Sequence, residues 1–394
     1  MYDAIVVGAR CAGASTALLL ARRGYRVLLL DKATFPADTM STLYIHQPGV
    51  ARLATWGVLD AVVASGCPRL DTITYQVCDV RLAASAATLG EIDCGYAPRR
   101  NVLDQILADA AVAAGAEFAD GCVVRELRER DGRVTGVVFD SPTGTGSTAD
   151  ARLVVGADGM NSRVADLAGA DPTLTDPRLS CVYYTIWSAV DVGFGFFERP
   201  GSWIAAIPTS GGATVVASYF PQQRFDQVRV DALGAHLAAV RDTAPELYEQ
   251  IAGHEPAERL RGTGNQRNFF RRAYGPGWVL AGDAGHHRDT ITAHGITNAL
   301  VQAELLTDSI GDDLADPVRL DRALANFADA RDTVLADGYR ATLELAQLRV
   351  PASRLRMLQA IAEVPELTAR YFAMVAGIVP IESVLTTELL ELIT

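Results

Sequence analysis

The chain has 394 residues, 49% apolar and 21% charged, with a net charge of −12 and a single lysine, Lys32, among 35 basic residues. That length exceeds what one compact core supports and predicts two domains, while the acidic balance argues against nucleic acid and anionic membrane as partners. The cysteines are scattered with no C-x-x-C pair, and no apolar run reaches the roughly 18 residues of a membrane span, so the expectation is a soluble cytoplasmic protein with no metal site, no disulfide framework and no stable membrane insertion.

In chain order, the β-branched run Ile5-Val6-Val7 ends at Gly8, and Gly13 precedes an apolar stretch to Ala21 that reads as a helix. Tyr2-Asp3 in place of basic residues, with glycine interrupting the run, argues against a secretory leader. Strand, tight turn and helix N-terminus together form a cradle for a diphosphate: Gly8 permits the turn, Gly13 lets the helix pack close, and the first free N–H groups face the anion. The next strand, Arg26 to Leu30, ends in Asp31, 23 positions after Gly8, where a carboxylate can accept from a ribose diol. Helical spacing is expected over Val50 to Ala64 and Asn101 to Ala114, and a strand over Thr72 to Val77. Cys122 to Leu127, Val134 to Phe139 and Arg152 to Val155 read as a small sheet, with a hairpin turn at Gly144-Thr145-Gly146. From Leu179 to Phe220 aromatic-rich strands suit a broad antiparallel sheet with one buried face. Helices are expected at Asp231 to Arg241, at Glu246 to Ile251 and almost continuously beyond Pro317.

Two further signatures follow strands. Val154-Val155-Gly156-Ala157-Asp158-Gly159 ends in an Asp-Gly turn whose carboxylate can meet a diphosphate or a nicotinamide donor. Gly282-Asp283-Ala284-Gly285-His286 leads to Gly295-Ile296, where Asp283 can hold a ribityl hydroxyl and a helix opening at Gly295 suits the negative charge of a reduced flavin.

With three such motifs in this order, the chain resembles the FAD-dependent monooxygenases of the aromatic hydroxylase type, relatives of p-hydroxybenzoate hydroxylase, over roughly residues 1 to 310. The resemblance implies an α/β fold: a Rossmann-like FAD-binding domain (1–71, 95–175 and 265–315) interleaved with an antiparallel-sheet substrate domain (72–94 and 176–264), plus C-terminal helices (316–394). It implies FAD held by Gly8, Gly13, Asp31, Lys32, Arg100, Val124, Asp158, Gly159, Gly282, Asp283, Gly295 and Ile296, with NAD(P)H as a transient donor. The chain departs from the family pattern at Arg10, where the loop usually has glycine, at Thr290 and Thr292, in place of proline and glycine beside the flavin, and at Ala165, in place of an arginine.

Imidazoles near the flavin-facing segment, His286 and His294, and Tyr44 and His46 on the loop that in this family passes near flavin and substrate, are the candidate catalytic groups. The resulting expectation is a monooxygenase that inserts one atom of O2 into an apolar, aromatic or polycyclic substrate of secondary metabolism through a flavin C4a-hydroperoxide. An alkene reductase of the geranylgeranyl reductase type is the alternative, followed by a non-catalytic flavoprotein. Trp203-Ile204-Ala205-Ala206-Ile207-Pro208 half-matches the W-x-W-x-I-P string of flavin-dependent halogenases, but those enzymes are understood to use a lysine, and Lys32 follows the ribose-binding carboxylate. A homodimer and a separate flavin reductase are both compatible with the chain.

Overall fold

The computed structural model describes residues 1–188, 190–384 and 389. Five parallel strands form its centre, in the order Trp278–Leu280, Gly144–Gly156, Tyr2–Val7, Val27–Leu30 and Glu117–Ala119. Parallel strands are covered on both faces, which is why these runs are continuously apolar rather than alternating. Ala4, Val6, Leu29, Leu153 and Val155 face a core built with the helices Cys11–Arg22, Arg100–Ala113 and Gly295–Ile310. Ile5, Val7, Leu28, Leu30 and Val154 face the other way, onto a meander of Val123–Arg130, Arg133–Ser141 and the first half of Gly144–Gly156. The meander's second turn falls at Pro142-Thr143, because Ser141 already pairs with Gly144. The helical pattern from Val50 to Ala64 breaks into Gln47–Thr55 and Leu59–Ala64 at Gly57, whose φ of +63° ends the first helix.

A second, seven-stranded sheet carries the aromatic stretch. Its strands are antiparallel except that Gly195–Arg199 runs parallel to Thr72–Val77. The expectation of one buried face is corrected here, because both faces are covered. Cys181, Tyr183, Trp187, Phe197 and Phe220 pack under the helices Ala232–Thr243 and Pro245–Ile251. Tyr184, Phe194, Phe196, Trp203 and Tyr219 pack on the opposite face with Tyr44 and residues from the helices Ala352–Glu363 and Pro365–Val375. The alternating residues on both sides are apolar, so a period of two gives no polar face to read.

One buried ion pair pins these C-terminal helices to the sheet. Arg354 donates to both oxygens of Glu198, each at 2.8 Å, and Tyr75 donates its hydroxyl to the same carboxylate, while Tyr371 lies parallel to the Tyr75 ring. Glu198 has no solvent-exposed side-chain surface, so it depends on these donors for its charge. Arg354→Met is therefore expected to lower folding stability by about 3–5 kcal/mol in urea melts, and a second change, Glu198→Gln, to recover part of that loss.

Candidate functional site

The site is a row of strand ends. Val7 lies level with Leu30 on one side and Gly156 on the other, and Gly156 lies level with Leu280. Gly8, Asp31, the Asp158-Gly159 turn and Gly282-Asp283 therefore emerge side by side at the carboxyl edge of the sheet, where open α/β sheets bind ligands. Gly8 has a φ of +101°, and a Cβ there would overlap the Ala157 carbonyl oxygen; a Cβ on Gly13 would overlap the carbonyl oxygen of Gly8. Asp31 accepts from the Ala9 amide at 2.7 Å and the Ala33 amide at 2.8 Å, so it holds the loop as well as standing beside it. Lys32 is exposed. Val124 is buried in the core beneath the sheet, in the segment docked to Asp31 through the Cys122 amide.

The helix Cys11–Arg22 begins with no side-chain cap and no acidic residue in its first turn. Its N–H groups are thus available to an anion. Arg10 fits this end through a residue that sequence reasoning missed. The carboxylate of Asp104, fully buried, accepts from Arg10 at 3.1 Å, from Arg100 at 2.9 and 3.0 Å and from the Cys11 thiol at 3.3 Å. The signal for it was the i,i+4 spacing of Arg100 and Asp104 on one helix. Burial pushes the Cys11 thiol far up, so it stays protonated and donates.

The Asp158 carboxylate turns back on its own loop, accepting from the Ser162 hydroxyl at 2.5 Å and the amides of Arg163 and Val164 at 2.6 and 3.2 Å. Its burial raises its pKa against those hydrogen bonds. It shapes the turn in which Gly159, with φ +83°, leaves open space where a side chain would stand. Ala165 is 1% exposed against the meander core, which leaves no room for the family's arginine. Gly282 has φ +62°, and a Cβ there would touch Ala12, while Asp283 is exposed, makes no side-chain hydrogen bond among the described residues and lies close enough to Arg100 to raise its pKa. The helix Gly295–Ile310 opens uncapped, with Gly295 exposed and Ile296 buried beside it. Two uncapped helix ends, a glycine cradle and an unengaged carboxylate fit an extended dinucleotide lying along the row.

Three of the four candidate catalytic groups come together, and one does not. His46 and His294 stack at 3.7 Å with 10° between their planes, Tyr44 meets His46 edge-on at 4.6 Å, and Phe194 stacks on Tyr44 at 4.3 Å. His46 Nε2 donates to the Thr292 carbonyl at 3.2 Å and His294 Nε2 to the Val375 carbonyl at 2.8 Å. Burial pushes His46 down to about 3, and burial together with the charge of neighbouring groups pushes His294 down as well. Both rings are neutral at pH 7, with Nδ1 as acceptor. His286 lies elsewhere, between Phe270 and Tyr339 at 4.4 and 5.7 Å. Thr290, in the family's proline position, shares its hydroxyl with Tyr219 at 3.0 Å and Gln266 at 2.5 Å, and Thr292 meets Thr342 at 3.1 Å. A cavity of about 10 Å³ remains at the stack, lined by Tyr44, His46 and Phe194 and, from the C-terminal helices, by Phe372, Val375 and Ala376.

Two outcomes follow. Gly13→Ala should leave the purified protein largely without flavin, read as the ratio of flavin to protein absorbance, because the helix must back away from the strand. His46 binds its proton more readily unfolded than folded, so its contribution to stability is present above its unfolded value of 6.5 and is lost as pH falls toward about 3. Asp289, raised from 3.8 to about 6 by burial, opposes this between those two values. Urea melts across this range should show His46→Gln removing an acid-side slope of up to about 1.4 kcal/mol per pH unit.

Known proteins agree with this geometry. The chain is 28% identical over 315 residues to digeranylgeranylglycerophospholipid reductase 2 of Methanothermobacter thermautotrophicus, covering 75% of this chain and 74% of that one. It is 31% identical over 183 residues to protein FixC of Escherichia coli, covering 43% and 39%. Among solved structures, PqsL of Pseudomonas aeruginosa, titled a probable FAD-dependent monooxygenase, superposes with a TM-score of 0.72 at 18% identity over 95% of this chain and 99% of that one. The myxobacterial chondrochloren halogenase CndH superposes with a TM-score of 0.80 at 18% identity over 100% and 95%, a likeness of fold. The profile described as FAD binding domain matches residues 1–317, and the chain belongs to that family of FAD-dependent oxidoreductases.

Proposed function

We propose that this protein is a monooxygenase that transfers one oxygen atom from O2 to an apolar, aromatic or polycyclic substrate of secondary metabolism in the cytoplasm, with NAD(P)H as reductant. Bound FAD supplies electron storage and oxygen activation. The observation that carries the reading is the Phe194–Tyr44–His46–His294 stack, set where the uncapped helix Gly295–Ile310 begins, in an almost closed apolar chamber. Aromatic walls recognise a ring by area and edge-to-face contact. The helix end stabilises negative charge beside it. His46 and His294, held neutral with their Nε2 protons on backbone carbonyls, present Nδ1 as a hydrogen-bond acceptor that can orient a substrate hydroxyl. The cavity of about 10 Å³ is too small for such a substrate, so entry requires lining elements such as the Pro365–Val375 helix to shift.

A second reading, reduction of an alkene, is favoured by the relatives named as digeranylgeranylglycerophospholipid reductases. Halogenation is disfavoured because Lys32, the single lysine, is exposed beside Asp31.

Turnover with NADPH, labelled molecular oxygen and a panel of phenols, indoles and polyketides should place one labelled atom in the product. His46→Asn, which misplaces the bound substrate, should lower product formation by about 10²-fold while NADPH oxidation continues as hydrogen peroxide release. Unlabelled product, or reduction of an alkene without oxygen, would replace this reading with the second.

A further inference from the structure

Arg288 is a buried cation without a counterion. It is 9% exposed, and among the described residues it makes no hydrogen bond and no ion pair. Its neighbour Asp289 does not neutralise it: that carboxylate accepts from the Ser180 hydroxyl at 2.7 Å and the Ile291 amide at 3.1 Å, with the Gln266 amide at 3.4 Å. Burial lowers the guanidinium only to about 10, so it stays charged at neutral pH.

The fold makes room for this side chain. The long helix Pro317–Ala346 has a glycine, Gly338, in its interior, and a Cβ there would overlap Arg288 Nη1. Glycine weakens a helix interior, so its presence under the guanidinium marks a site where the arginine is accommodated. Thr342, one turn further on, bonds to Thr292, whose carbonyl holds His46. The charge of Arg288 reaches His46 and His294 and helps to keep both neutral. Two positions back on the same side of the chain, His286 Nε2 is fully buried without a partner among the described residues.

An isolated buried charge is costly, and a planar guanidinium matches a carboxylate in two parallel hydrogen bonds. The anionic parts of FAD have their own partners in this fold: the diphosphate at the helix Cys11–Arg22, the reduced ring at the helix Gly295–Ile310. We propose that Arg288 is the anion-recognition residue of the substrate chamber, and that the substrate carries a carboxylate or comparably acidic oxygen on its apolar body. The inference rests on the chamber at the Tyr44–His46–His294 stack being the substrate site.

The test is calorimetric titration of the resting, FAD-loaded protein with 2-naphthoate and 2-naphthamide, which share a shape and differ in charge. The acid should bind at least about tenfold more tightly than the amide. Arg288→Met should bring that ratio to about one, and Arg288→Lys should retain part of it. Gly338→Ala, which favours the helix while displacing the guanidinium, should also lower the ratio with an unchanged or raised melting temperature, and it decides the matter if Arg288→Met does not fold. Equal affinity for acid and amide in the wild type, no binding of the acid at millimolar concentration, or a ratio untouched by either variant overturns the proposal. So does a shift in flavin midpoint potential in Arg288→Met with the ratio preserved, which would assign the residue to the cofactor. Since no oxygen or reductant is present, failure of oxygen incorporation and failure of acid recognition are separate results.

Discussion

The approach of the Cys11–Arg22 helix to the Tyr2–Val7 strand is the constraint on which the rest stands. With no Cβ at Gly8 or Gly13, helix and strand meet at backbone distance, and the helix N-terminus is driven into the line of strand ends. The neighbouring strands then bring Asp31, the Asp158 turn and Gly282-Asp283 to the same edge, because their registers are level. A long dinucleotide needs such a row, because no single motif is large enough to hold it.

Electrostatics at the diphosphate end follow from one carboxylate shared by two guanidiniums. Arg10 and Arg100 both bond to Asp104, and Asp283 lies near Arg100, so two guanidiniums and two carboxylates meet beside the uncapped helix end. A glycine at position 10 would supply flexibility without charge. Here two guanidiniums are fixed by one buried carboxylate beside free backbone N–H groups.

What was legible in the sequence was local. Gly8, Gly13 and Asp31 announce a strand, turn and helix through neighbours a few residues away, and the parallel core follows from uninterrupted apolar runs. Asp104 was passed over because its partners lie 94 residues away in Arg10 and 93 in Cys11, and only the Arg100 pairing is local. The second buried face of the aromatic sheet was illegible for a different reason: what covers it comes from Ala352 onward, and a strand apolar on both sides carries no mark of which partner lies where. Arg288 reads as an ordinary charged residue between His287 and Asp289. Its meaning depends on Gly338, fifty positions on, and on a bond that no residue near it makes.

These long-range pairings share a pattern. The family match ends at residue 317, and the helix that receives Arg288 starts at Pro317. Gly338 under the guanidinium, Arg354 on Glu198, Tyr371 beside Tyr75 and Phe372 at the cavity all lie beyond that limit. The cavity at the aromatic stack is therefore built from both stretches of chain: Tyr44, His46, Phe194 and His294 lie inside the match, and Phe372, Val375 and Ala376 beyond it. The FAD-family motifs are readable because they recur at fixed spacing, whereas packing around a cavity selects shapes and isolated charges that recur at no fixed spacing. The buried cation at 288 belongs to this second kind of information, which only the folded arrangement displays.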